Sequence, residues 1–309
     1  MQDEAPFGAW FPSRHRCSVA HLVFLAYLTA PQSAAAQEAT DRFTSRESKD
    51  FEFVLTMPFL YSSSIVRSDS DTAIGDSGDK HVDPDFAIQW SRQFSHIRLE
   101  TFVAATLERY STVREADVDR LTTGVKVELT DGRSDLFVPY FQYELTMDFV
   151  PVFSTREDTL HDFAVGFSSG IGFGRDGKKI PYSEANDPGH SSVKFDIQAG
   201  RRFADLRDLD RFFVEMNLDF AHTISNHWAL VVTPAFKTRW YNNYFGEARS
   251  DYRPSIELKA EWTPDWLTRQ LPDALIEFGV LFERNYSNLA EQRNTLYEFG
   301  PTIILSSKF

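Results

Sequence analysis

From Phe51 to the carboxyl end, apolar and polar residues alternate in runs with a period of two, the period of a β-strand. Twelve runs can be marked: Phe51–Tyr61, Asp85–Phe94, His96–Tyr110, Arg120–Leu129, Leu136–Phe149, Leu160–Phe173, Ser192–Phe203, Arg211–Ile224, His227–Tyr241, Tyr252–Trp262, Ala274–Tyr286 and Leu296–Phe309. In the eighth, Phe212, Val214, Met216, Leu218 and Phe220 alternate with Phe213, Glu215, Asn217 and Asp219. In the ninth, Trp228, Leu230, Val232, Pro234, Phe236 and Trp240 alternate with Ala229, Val231, Lys237 and Arg239. Helical period is confined to Pro264–Leu271, which suits a turn or two. The runs exceed the usual soluble strand of about 5–6 residues and suit tilted membrane-crossing strands of roughly 9–11. Trp228 and Trp240 share a face twelve residues apart, about 40 Å along a strand and about 30 Å along the membrane normal at a tilt near 40°. That is the order of the separation between two aromatic belts, and Trp262, at the end of its run, fits the same belts. The pattern predicts an all-β protein: a single antiparallel up-and-down transmembrane β-barrel of about 12 strands over 51–309, after a solvated tail over 37–50.

The last run, TLYEFGPTIILSSKF, carries more information than its alternation. Tyr297, Phe299, Pro301, Ile303, Leu305 and Phe309 form one face, with Glu298, Thr302 and Ser306 on the other, and the chain stops on an aromatic residue. This segment resembles the C-terminal strand of Gram-negative outer-membrane β-barrels, although Ser307 stands where that family usually has a bulkier residue. The resemblance implies residence in the outer membrane, with outer-membrane lipid as one partner. It also implies that Phe309 is part of a signal recognised by the barrel-assembly machinery.

The other end fits export. Arg14-His15-Arg16 precede the apolar run Val19–Ala30 and the small-residue stretch Ser33-Ala34-Ala35-Ala36. This is the anatomy of a secretory signal peptide, expected over 1–36 with cleavage after Ala36; the apolar run is shorter than the roughly 20 residues a spanning helix needs. Cys17, the only cysteine, leaves with it, so neither a disulfide nor a cysteine metal site is expected. Loss of Asp3, Glu4, Arg14 and Arg16 keeps the net charge at −13, which argues against nucleic-acid partners. A mean hydropathy of −0.35 alongside 28 Phe, 11 Tyr and 6 Trp suits a barrel in which only alternate residues face lipid.

An even strand number puts both ends of the barrel in the periplasm. Ser62–Pro84, Ser111–Asp119, Tyr241–Asp251 and Asn288–Thr295 are then expected as outer loops, and Phe94-Ser95-His96 and Ser225-Asn226 as tight inner turns. Gly174–Gly189 and Thr263–Asp273 fall on the inner side yet are long; either a hairpin is miscounted or they fold under or into the barrel. Turning the polar faces inward lines the lumen with Arg98, Glu100, Lys126, Glu128, Glu144, Asp148, Lys194, Asp196, Glu215, Asp219, Lys237, Arg239, Glu257, Lys259, Glu261, Glu277 and Glu283. Twelve strands imply a backbone diameter of roughly 24 Å, room for a narrow passage at most. The expectation is a porin-like channel for passive diffusion of small polar solutes, biased by its excess carboxylates toward cations or neutral molecules. The competing possibility is a packed lumen of ion pairs. Mixed signs on neighbouring strands, such as Lys237 and Arg239 beside Glu215 and Asp219, favour ion-pair ladders in either case.

Enzymatic alternatives have weaker footing. Outer-membrane phospholipases and lipid A deacylases use a His/Ser pair in which histidine deprotonates serine. The counterparts here, His190-Ser191-Ser192 and His222 with Ser225-Asn226, do not reproduce the H-x-S-N-G pattern of those families. His81, Asp83 and Asp85 superficially suit an outer-membrane aspartyl protease. No Walker, dinucleotide, HExxH or EF-hand spacing occurs, so neither cofactor nor metal is expected. Gly166, Gly170, Gly172 and Gly174 alternate, which in a barrel makes room for a bulky inward neighbour or permits a bend. A closed barrel whose loops bind a surface partner is the third class.

Overall fold

The computed structural model describes residues 50–308, apart from 68–71, 76–77, 131–136 and 272. The expected signal peptide, all of the tail except Asp50, and Phe309 lie outside the described residues.

Twelve strands close on themselves: β1 (Phe51–Ser62), β2 in two pieces (Asp79–Val82 and Asp85–Phe94), β3 (Ile97–Tyr110), β4 (Val118–Leu129), β5 (Val138–Phe149) and β6 (Arg156–Phe173), then β7 (Ser191–Ala204), β8 (Arg211–Ser225), β9 (Trp228–Tyr244), β10 (Glu247–Trp262), β11 (Leu275–Ser287) and β12 (Asn294–Lys308). Each is antiparallel to the next, and β12 returns to β1 with Lys308 opposite Glu52 and Glu298 opposite Ser62. Closure pairs every strand on both sides, so no edge is left to recruit another chain.

Polarity is inverted relative to a water-soluble protein. Phe53, Phe86, Ile88, Phe141, Val165, Phe212, Leu230, Phe278 and Phe299 are exposed on the outside of the wall. Their alternates Glu52, Glu100, Glu128, Asp148, Arg239, Lys259, Glu261 and Glu277 are buried on the inside. Water would oppose that arrangement, whereas hydrocarbon around the wall favours it. Trp228 and Trp262 stand opposite each other on the outer surface and stack at 5.7 Å, and Trp240 lies toward the other end of β9. The register is staggered. The row Trp228, Trp262, Ile276, Ile303, Met57 begins at the inner turn of β9 and reaches the seventh residue of β1, which is the strand tilt that closure demands.

Both described ends of the chain lie at one rim, here called the terminal rim. Its connections include the tight turns Ser95-His96 and Asn226-His227. The two long inner segments do not betray a miscounted hairpin. Residues 263–274 carry one helical turn, Asp265–Thr268, across the rim. Residues 174–190 turn back against β6: a Cβ on Gly170 would lie 2.8 Å from the ring of Tyr182, and one on Gly172 2.8 Å from Ile180. On the same inner face Gly166 makes way for Tyr140. At the far rim two expectations need correction. Tyr241–Asp251 is not a loop: β9 runs on to Tyr244, turns through Phe245 (φ 47°) and Gly246 (φ 92°), and returns as β10. The first connection is shorter than Ser62–Pro84, because Asp79–Val82 already pairs with β1 and β3.

Candidate functional site: the barrel lumen

Every charged residue expected to line the lumen stands on the inward parity of its strand, because period-two alternation and the ladder register leave one choice of face. On one wall, Arg98 lies 2.8 Å from Glu100 and 3.8 Å from Glu128, and Lys126 lies 2.7 Å from Glu128. Asp148 accepts a two-pronged contact from Arg120, 2.7 Å from Nε and 3.2 Å from a terminal nitrogen. Across the barrel, Arg239 approaches Glu215 at 3.8 Å, Lys259 sits 3.3 Å from Glu257 and 3.9 Å from Glu277, and Arg253 lies 3.4 Å from Glu283. Glu144 stands opposite Asp162, which Arg202 clasps. Glu261 is buried opposite Glu277.

Accessibility divides the lumen into zones. Toward the far rim, Leu160, Leu209, Tyr241 and Tyr244 pack together, and the buried Arg249 lies flat on both tyrosine rings while holding Asp251. Toward the terminal rim, Val54, Ala87, Ala104, Leu275 and Ile304 pack with Phe102 on the inward faces of β1, β2, β3, β11 and β12. Between them, Lys126, Glu144, Lys194, Asp196, Glu215, Asp219, Lys237, Glu257 and Glu283 are only half-buried, so solvent reaches a polar middle section.

A second constellation sits inside the far end of β1 and β2, and sequence spacing hardly hinted at it. Ser62 Oγ lies 2.8 Å from His81 Nε2, and His81 Nδ1 lies 2.8 Å from an oxygen of Asp83. The order resembles a hydrolytic triad, but the protons run the other way. Ser62 donates its hydroxyl hydrogen to Glu298 at 2.5 Å, so its oxygen accepts from His81, and Asp83 takes the other ring N–H. A histidine donating from both nitrogens has no lone pair with which to deprotonate serine. Tyr110 stacks on the His81 ring at 5.1 Å and donates to Glu108. The network ties β1, β2, β3 and β12 together at the closing seam. Its members are 19 and 236 residues apart along the chain, and only the His81/Asp83 alternation was visible locally.

Of the expected hydrolase pairs, Ser191 and His222 do meet, Oγ to Nδ1 at 2.9 Å, on the outer surface near the terminal rim. His190 instead contacts the Glu184 carbonyl, and Ser225 is bonded by the His227 amide. No group of three or more His, Cys, Asp or Glu among the described residues is arranged to hold a metal ion.

No protein-family model and no characterised protein matches the sequence. Solved structures do resemble the barrel. An outer-membrane channel from Pseudomonas putida F1 is 8% identical, with 86% of this chain and 98% of that chain covered at a TM-score of 0.48. The translocator domain of the autotransporter NalP from Neisseria meningitidis is 8% identical, covering 89% and 94% at 0.45, and LpxR from Salmonella typhimurium is 8% identical, covering 82% and 99% at 0.38. The chain folds as a closed antiparallel β-barrel of twelve strands, and what its lumen does must be argued from its own residues.

Proposed function

We propose that this protein is an outer-membrane channel through which small polar solutes diffuse passively, with the terminal rim in the periplasm and residues 1–36 removed on export. The observation carrying this reading is the half-buried polar middle section, with charges from β4, β5, β7, β8, β9, β10 and β11 around water-reachable space. A barrel needing only a stable interior gains little by keeping such groups wet, because replacing paired buried charges with packed apolar residues is often neutral or stabilising. Lys126, Lys194 and Lys237 face the carboxylates of Glu144, Asp196, Glu215, Asp219, Glu257 and Glu283 in this section. The acidic excess favours cations and neutral molecules. Of the remaining expected lumen residues, Arg98, Glu100, Glu128, Asp148, Arg239, Lys259 and Glu277 shape the passage by pairing, and Glu261 is buried opposite Glu277. Phe309 and the last strand would be what the assembly machinery recognises.

A serine-hydrolase reading draws on Ser62–His81–Asp83 and on Ser191–His222. The first has its protons in the wrong order, because the Ser62 hydroxyl is donated to Glu298. The second shows no third group among the described residues that orients the imidazole.

Planar-bilayer recording of the purified mature barrel tests the channel. Discrete single-channel steps with cation-biased reversal potentials are expected. A silent bilayer together with hydrolysis of a short-chain ester by the same preparation would overturn the proposal in favour of an enzyme.

A further inference from the structure

Two arginines on the outer surface lack what their counterparts possess. Arg201 on β7 is exposed on the lipid-facing parity, opposite Phe163 on β6 and Phe212 on β8. Its guanidinium lies 4.4 Å from the Phe203 ring centroid and 4.8 Å from that of Phe212. Arg284 on β11 is likewise exposed and outward-facing, 4.7 Å over the ring of Tyr286. Each stands three residues before the far-rim end of its strand, Ala204 and Ser287 respectively. Among the described residues no carboxylate lies within 4.0 Å of either guanidinium. Other outward arginines near the rims are paired: Arg109 with Asp119, Arg156 with Asp205 at 3.2 Å, and Arg92 with Asp50 at 3.8 Å.

An unpaired guanidinium is costly against hydrocarbon, and the cost fades toward the headgroups. A ring against its face fixes its plane and shields the carbon, while the N–H edge stays free. That edge is a planar fork whose spacing matches two oxygens of a phosphate. The anions concentrated at this depth are lipid phosphates.

We propose that Arg201 and Arg284 are two separate positions at which the barrel grips a phosphate of an outer-leaflet glycolipid, so that lipid is a specific ligand of this wall as well as its solvent. The proposal uses the orientation given above, with the far rim outward, and does not depend on the lumen conducting. The full mature barrel in neutral detergent would be titrated with diphosphoryl lipid A and, separately, its dephosphorylated form, with adducts followed by native mass spectrometry. Diphosphoryl adducts on the wild type are expected to weaken at least about fivefold in Arg201→Ala/Arg284→Ala, with dephosphorylated lipid binding both proteins equally weakly. Arg201→Lys should fall between, because it keeps the charge and loses the fork. Equal binding by wild type and double variant, or by the two lipids, would overturn the proposal. So would full displacement by millimolar inorganic phosphate, which would mark a free-anion site, and equal adducts with an anionic glycerophospholipid, which would mark a general headgroup contact. Heat-modifiable gel mobility reports folding; if the double variant fails it, the comparison is made with Arg201→Gln alone, under the same expected loss.

Discussion

The most demanding side chains in the barrel are Arg249 and Asp251, which share the inward face of β10 two residues apart and are both fully buried. Arg249 Nε lies 3.0 and 2.9 Å from the two Asp251 oxygens, and the guanidinium face covers Tyr241 and Tyr244. Two desolvated charges repay the loss of water only while both are present and well oriented. Asp251→Ala is therefore expected to destabilise the barrel by about 3–5 kcal/mol, because it strands the arginine. Arg249→Met/Asp251→Leu should recover most of that loss. Equilibrium urea unfolding in micelles measures both, and a loss below about 1 kcal/mol for Asp251→Ala would place the pair with exposed bridges such as Arg156–Asp205. At this scale the sequence revealed neither the face nor the partner: Tyr241–Asp251 reads as a loop, and it is the ladder of β10 against β9 that puts Arg249 and Asp251 on one side. Whether Arg249 reaches an acid on its own strand or a neighbour is decided by tyrosines brought in by β9, and no local pattern carries that.

At the scale of elements, strands that touch lipid were legible and those that outrun it were not. A lipid-facing strand must alternate strictly, so β8 and β12 announce themselves. The far-rim end of the β9–β10 hairpin carries Asn242, Asn243 and Glu247, which resemble a loop although the ladder persists to Tyr244–Glu247. The same blindness affects 174–190, whose polar composition conceals that Tyr182 lies over Gly170. The alternating glycines were the visible half of that contact: they clear a strip of β6 wall, and the segment that occupies it follows in sequence. If the segment narrows the terminal mouth, Tyr182→Ala should raise single-channel conductance by up to about twofold without changing heat-modifiable mobility, whereas Gly170→Leu, which displaces the ring into the mouth or out of it, should change conductance in one direction or the other. Unchanged conductance in both variants would remove this segment from the conduction path.

For the whole molecule, charge and the inside-out polarity work together. The net charge of −13 is not spread evenly in effect, because lipid-facing positions are mostly apolar and the acids gather in the lumen and the rims. A low-dielectric wall around a polar section lengthens the reach of those charges, so a few wet side chains can set the sign of what passes. Lys194 and Lys237 are the groups to change: both are half-buried in the middle section, where Lys194 stands opposite Asp219 and Lys237 opposite Glu215. Lys194→Glu/Lys237→Glu replaces two cations by two anions beside acids already present. Under a salt gradient the reversal potential should move further toward that of the cation, with the cation-to-anion permeability ratio rising at least about twofold. Conductance at low salt should change more than at high salt, because screening shortens the reach of the same charges from about 30 Å at 0.01 M to about 3 Å at 1 M. A barrel that conducts with an unmoved reversal potential would mean that ions take a route past neither lysine.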